Sequence, residues 1–172
     1  MGEIIRDIPL TRAYYSEQRR THQTLEKILH AKSQSDIPTI QTAALNERDY
    51  GELTGLNKWD AQREFGEEVF YGIRRGWDYP VPGGETLRTV YERVVPYFKS
   101  EILPRLISGE NILIVAHGNS IRSLVKFLED ISDDAVAEVE MIFGQLLLYH
   151  VDEDGRARNK QIRAIDTELP PA

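Results

Sequence analysis

The chain contains no cysteine, which removes disulfide staples, thiolate metal sites and a cysteine nucleophile, and fits a reducing cytoplasm. No apolar run approaches the roughly 20 residues that a membrane span needs. The opening Met1-Gly2-Glu3-Ile4-Ile5-Arg6-Asp7 does not read as a signal peptide. Positive charge is in deficit: 21 Lys and Arg stand against 28 Asp and Glu, a net charge of −7 that repels nucleic acid and anionic membrane surfaces. No repeat or low-complexity tract interrupts the 172 residues. These absences lead to a cytoplasmic protein of one domain, residues 1–172, with neither nucleic acid nor membrane as partner.

What is present suits a packed domain, with 41% hydrophobic and 28% charged residues. Residues 9–15 read as a short strand, and Ser16 as an N-cap for a helix to about Lys32, with Thr21, Leu25, Ile28 and Leu29 on one face. Residues 39–43 form a weak strand pattern. From Tyr50 to Gly84, glycines, aromatics and Pro80/Pro82 predict loops and short helices, a candidate active-site cover. Leu87, Val90, Val94, Phe98, Ile102 and Leu106 recur at helical spacing, with Pro96 and Pro104 expected to kink or divide that helix. Ile112-Leu113-Ile114-Val115-Ala116 is fully apolar, the pattern of a central parallel strand buried on both faces. Ile121 to Leu128 predicts another helix, 133–140 a shorter one, and Gln145–Val151 a strand turned back at 152–155. Strands alternating with helices imply an α/β fold with a mainly parallel sheet.

The apolar strand runs into His117-Gly118-Asn119-Ser120 and then a helix. In open α/β sheets ligands bind at the carboxyl ends of strands, and a helix start offers free N–H groups and a positive dipole end to an anion. A buried histidine capping a turn competes closely with that reading. His22, His30 and His150 read as structural or surface residues. Arginines cluster at Arg19-Arg20, Arg74-Arg75 and Arg156/Arg158; any one pair alone suits a solvated surface, although a local cluster binds phosphate even in an acidic protein.

Three stretches together resemble the cofactor-dependent phosphoglycerate mutases of the histidine phosphatase superfamily: Leu45 through Lys58, Val115 through Arg122, and the Ser-x-x-x-Arg-x-x-x-Thr pattern of Ser16 to Thr24. The resemblance runs from about Gly2 to Asp166. It implies a three-layer α/β fold whose mainly parallel sheet is flanked by helices, and interconversion of 2-phosphoglycerate and 3-phosphoglycerate in glycolysis and gluconeogenesis. The implied cofactor is 2,3-bisphosphoglycerate, with no metal. Carried over by residue, Arg20 clamps phosphate, Glu47 exchanges the proton and His117 stabilises the transferring phosphoryl group. Arg48, Tyr50, Lys58, Arg74, Arg75, Gly118 and Asn119 hold the small phosphorylated carboxylate substrate.

Departures accompany the match. The family's phosphorylated histidine sits in an Arg-His-Gly motif at the end of a first, central strand, and no Arg-His-Gly occurs in these 172 residues. The expectation is an N-terminally truncated domain, inactive alone, with a slot in its sheet. Self-association or a complementing N-terminal segment would fill it. Asp49 replaces the usual histidine, and Met141-Ile142-Phe143-Gly144 the usual Ile-Pro-Thr-Gly. A phosphatase of the same superfamily and a noncatalytic phospho-ligand-binding protein remain as alternatives.

Overall fold

The computed structural model describes residues 1–55 and 57–164, without the side chains of Lys58 and Ala61. At its centre β1 (Arg12–Tyr15) pairs in parallel with β2 (Thr39–Gln41) on one side and β3 (Ile112–Val115) on the other. Helix α1 (Arg19–Ala31) buries Thr21, Leu25, Ile28 and Leu29. Its apolar face packs with Ile5, Leu10, Ala13, Leu113 and Val115 on one side of the sheet. On the other side Tyr14, Leu45, Val90, Val94, Phe98, Ile102 and Leu124 form a second core, joined by the half-buried Ile112 and Ile114. Helices α4 (Leu87–Tyr97) and α6 (Gly118–Leu128) face that core with Val90, Val94 and Leu124, completing the three layers. Among the described residues no helix is long and apolar enough to cross a membrane.

Thr86 starts α4 by accepting a hydrogen bond from the Thr89 amide, 3.2 Å away. The long periodic segment is divided, as its prolines predict: α4 carries Pro96, a π-helical turn follows at Phe98–Ile102, and α5 (Leu103–Ile107) begins around Pro104. Between β2 and α4 lie short helices, including α2 (Lys58–Phe65) and α3 (Glu67–Arg75). Gly51 anchors the loop before them. Its φ is +53°, and a Cβ there would stand 2.2 Å from the Pro82 carbonyl oxygen, so only glycine fits against residues 82–84.

Three sequence expectations are corrected. Ser16 does not cap α1; Gln18 holds the cap position and the Ser16 side chain turns inward. Residues 133–140 contain a 3₁₀ turn, Ala135–Glu138, in place of a short α-helix. β3 is not central. Among the described residues it hydrogen-bonds to β1 alone, and Ile112 and Ile114 are only half-buried despite their apolar sequence.

The remaining strands, β4 (Gln145–Val151) and β5 (Ala157–Ala164), form a separate antiparallel hairpin with an irregularity between Leu148 and His150. Leu146 and Leu148 of β4 rest on the same core as Leu113 and Val115 of β3. Among the described residues, one edge of β3 and one edge of β4 therefore lack strand partners while sharing a hydrophobic cluster.

Candidate active site

The carboxyl ends of β1, β2 and β3 open onto Ser16, onto the segment from Thr42 to Tyr50, and onto His117. That is the end of an open parallel sheet where backbone and side chains converge on a ligand. His117 follows the apolar strand at the N-cap of α6 and is 6% exposed. Its Nδ1 lies 3.1 Å from Arg20 Nε and its Nε2 2.7 Å from Ser16 Oγ. Burial, then the Arg20 guanidinium, lowers its pKa from 6.5 to about 4, so the ring is neutral at pH 7.

Glu47 faces the same helix start. Its Oε1 accepts from the Arg48 amide at 2.9 Å, the Asn119 amide at 3.3 Å and Asn119 Nδ2 at 3.2 Å. Both Asn119 donors belong to the first turn of α6, whose free N–H groups and positive dipole end face this side chain. Among the described residues no hydrogen bond reaches its Oε2. Asn119 Nδ2 also donates to the Tyr50 hydroxyl at 3.2 Å, and the Arg48 guanidinium lies 5.0 Å from the centre of the Tyr50 ring.

Arg48 is 3% exposed. It spends Nε on the Glu85 carbonyl at 2.6 Å and Nη1 on the Ile73 carbonyl at 2.7 Å, and its Nη2 has no partner among the described residues. Arg75 turns toward the loop after the 3₁₀ turn, with Nη1 3.3 Å from the Ala137 carbonyl and 3.5 Å from that of Val139. Arg122 meets it there, donating from Nε to Val139 O at 3.1 Å and from Nη1 to Asn119 Oδ1 at 3.2 Å.

Arg20 and His117 form one bonded pair, and Glu47, Arg48, Tyr50 and Asn119 a second bonded group. The Glu47 charge acts on His117 across the start of α6, and Arg75 joins the second group through Arg122 and the Val139 carbonyl. Arg74 points elsewhere, exposed over the Phe70 ring at 5.5 Å. Lys58 opens α2, and its side chain lies outside the described residues. Gly118 begins α6, and a Cβ there would meet no atom within 4 Å, so the need for glycine does not come from protein crowding. Arg158 pairs with Asp152 in the hairpin turn, and His22 stacks on Tyr15, 5.4 Å between ring centres.

Four contributors escape the sequence pattern. Arg93 sits on α4 beside the core valines, yet its guanidinium grips both oxygens of Glu85 at 2.7 and 3.0 Å. It also donates to the carbonyls of Ala44 and Asn46, holding the segment that carries Glu47. Burial of Glu85 works against its ionisation, but the Arg93 fork outweighs that and keeps its pKa below the usual carboxylate value. Arg122 and the inward-facing Ser16 complete the set. Among the described residues no group of three or more His, Asp or Glu is arranged to hold a metal.

Residues 1–162 match the histidine phosphatase superfamily (branch 1). The chain is 46% identical over 150 residues to the 2,3-bisphosphoglycerate-dependent phosphoglycerate mutase of Parvibaculum lavamentivorans, covering 87% of this chain and 71% of that one. Among solved structures, Bacillus stearothermophilus YhfR superposes with a TM-score of 0.78 at 23% identity, covering 91% of this chain and 75% of that one. A phosphoglycerate mutase from Bacillus anthracis superposes at 0.64 and 19%, covering 95% and 75%.

Proposed function

Because the chain belongs to the 2,3-bisphosphoglycerate-dependent phosphoglycerate mutases, an isomerase family of the histidine phosphatase superfamily, we propose that its pocket takes phosphoglycerate and serves interconversion of the 2- and 3-phospho isomers, the step shared by glycolysis and gluconeogenesis. The observation carrying this reading is the convergence of unspent donors beside an anchored carboxylate. Arg48 Nη2 and both Nη groups of Arg20 have no partner among the described residues, while Glu47 is held through one oxygen only. That donor set fits a phosphorylated carboxylate, and fits 2,3-bisphosphoglycerate, which supplies the phosphoryl group when bound.

Arg20 would clamp the phosphoryl oxygens with its guanidinium fork. Arg48, Tyr50, Arg75, Asn119 and the Gly118 amide would orient the glycerate. Lys58 and Arg74 are assigned to the substrate by resemblance alone. Glu47 is positioned to take the acceptor hydroxyl proton at Oε2 and return it, since Oε1 is fixed by three N–H donors.

Neither nitrogen of His117 is free to attack phosphorus. The proposal therefore includes a covalent acceptor brought by a segment that pairs between the open edges of β3 and β4, or by self-association through those edges. Until that segment docks, the chain binds substrate without turnover. The same two engaged nitrogens favour a second reading, a noncatalytic protein that binds phospho-ligands.

Calorimetric titration with 3-phosphoglycerate at low salt tests the pocket. Saturable binding is expected, weakened at least tenfold in an Arg20/Arg48/Arg75→Ala variant, as the loss of charge-assisted hydrogen bonds requires. Equal affinity in the two proteins overturns the site.

A further inference from the structure

We infer that Ser16 is a positioning residue: through a buried hydroxyl relay it fixes the tautomer of His117, and His117 in turn aims Arg20 at the anion. The inference deepens the reading above, resting on it only for the anion.

The hydrogen bonds leave one tautomer for His117. Arginine can only donate, so the contact from Arg20 Nε makes His117 Nδ1 an acceptor, and the neutral ring carries its proton on Nε2. Nε2 then donates to Ser16 Oγ at 2.7 Å. Ser16 Oγ also accepts from the Gln18 amide at 3.2 Å, so its own proton must go to Thr21 Oγ1 at 2.8 Å. Thr21 passes its proton to a fixed backbone acceptor beside the start of α1, the Gln18 carbonyl at 2.7 Å or the Ser16 carbonyl at 3.1 Å. Ser16 is 0% exposed and Thr21 3%, so water cannot replace a missing member of the chain.

Reversing any link leaves a buried polar group unpaired or sets two N–H groups against each other at Arg20. The consequence falls on Arg20. It is exposed and at the second position of α1, where a long side chain otherwise samples many rotamers. Its Nε is tied to His117, and both Nη groups face outward without a protein partner among the described residues. His117 thus serves as the acceptor that orients the clamp.

Nitrogen-15 NMR of the chain, histidine-labelled, reads the ring directly at pH 7. The wild type should show His117 protonated at Nε2 and unprotonated at Nδ1. An Nδ1–H or doubly protonated ring in the wild type overturns the inference, whatever any variant does. Ser16→Ala should shift the ring toward the Nδ1–H form and weaken inorganic phosphate about tenfold, the effect of one lost charge-assisted contact. Should Ser16→Ala fail to fold, Thr21→Val, which keeps the volume and removes the relay's second hydroxyl, should shift the same signals partway. An unchanged tautomer in a folded variant overturns the relay. Unchanged phosphate affinity alongside a shifted tautomer overturns the link to Arg20. Absence of phosphate binding in the wild type, with the Nε2–H ring present, counts against the anion pocket and not the relay.

Discussion

β1 and β3 lie side by side with four residues each, and their sequences and surroundings are reversed. Arg12-Ala13-Tyr14-Tyr15 is the more polar, yet it is paired on both edges and its central residues are 0% and 2% exposed. Ile112-Leu113-Ile114-Val115 is wholly apolar and sits at an edge. Burial here follows hydrogen-bonded neighbours more closely than hydrophobicity. An edge of continuous aliphatic residues is also what soluble proteins avoid, because it templates pairing with other strands. Among the described residues β4 presents a second edge without a strand partner against the same core, so the contrast is between a side of the sheet paired on both edges and one that is not.

The largest effect should come from finishing it. Co-expression with a strand-forming segment ending in Arg-His-Gly, of the phosphoglycerate mutase type, should take turnover from undetectable to measurable and raise the melting temperature by several degrees. Each unsatisfied buried backbone group costs about 1–3 kcal/mol, and 1 kcal/mol shifts the melting point by roughly 2–4 °C in domains of this size. A cooperative monomer that ignores the segment would remove the contrast between the two strands. Turnover by the chain alone would do the same for the proposed role of the segment.

The next effect separates the two sides by packing. Phe98 is 2% exposed among α4, α6 and the sheet, and Phe98→Ala should cost about 3–5 kcal/mol in denaturant unfolding. Leu148 on the open side is half-buried, and Leu148→Ala should cost only about 1–2 kcal/mol, a partial loss of transfer free energy. The difference should shrink once the segment is bound. Equal costs in the isolated chain would mean that β4 is already as well packed as the interior.

The legibility of the sequence divides along the same line. Helical periodicity at Leu87 through Leu106 locates the long crossover and its proline break, because those residues face one core whose partners are present. Periodicity says nothing about which strand will lie beside Ile112–Val115, since pairing is settled by groups far away in sequence. At the site, residue type and resemblance bring forward His117, Glu47 and Arg20. The hydrogen-bond roles of Ser16, Arg93 and Arg122 depend on side-chain directions that short motifs do not encode.

His117 stands where the two sides meet, which makes pH a probe of the boundary. Its folded pKa of about 4 lies below the ordinary 6.5, set first by burial and then by Arg20, with Glu47 opposing and Arg93 adding to the depression. The unfolded chain therefore takes up a proton that the folded one refuses. Stability from the neutral ring is complete above about pH 6.5 and declines as pH falls toward 4, at about 1.4 kcal/mol per pKa unit, roughly 3 kcal/mol in all. Glu85 loses its contribution only below the ordinary carboxylate range, so the window between belongs to the imidazole. Urea unfolding from pH 7.5 to 4.5 should show this slope in the wild type and lose most of it in His117→Gln. A slope unchanged by the substitution would place the responsible proton elsewhere.

The smallest effect concerns a charge at the site's exposed margin. Asp49 replaces the histidine usual in the resembling family and adds a negative charge one residue from Arg48. Its carboxylate is exposed and accepts from the Gly51 amide at 2.8 Å, where it supports the turn that Gly51 makes against residues 82–84. Asp49→Asn keeps an oxygen for that amide and removes only the charge. Two charges 4 Å apart in water interact by about 1 kcal/mol, and salt screens exposed charges over about 10 Å at 0.1 M and about 3 Å at 1 M. The substitution should therefore tighten 3-phosphoglycerate by no more than about fivefold at low salt and leave affinity unchanged at 1 M salt. A larger gain that persists at high salt would mean that Asp49 acts at short range within the anion pocket. The boundary between the solvated margin and the screened interior would then run outside Asp49, and the pocket would be deeper than the cluster around Glu47 and His117.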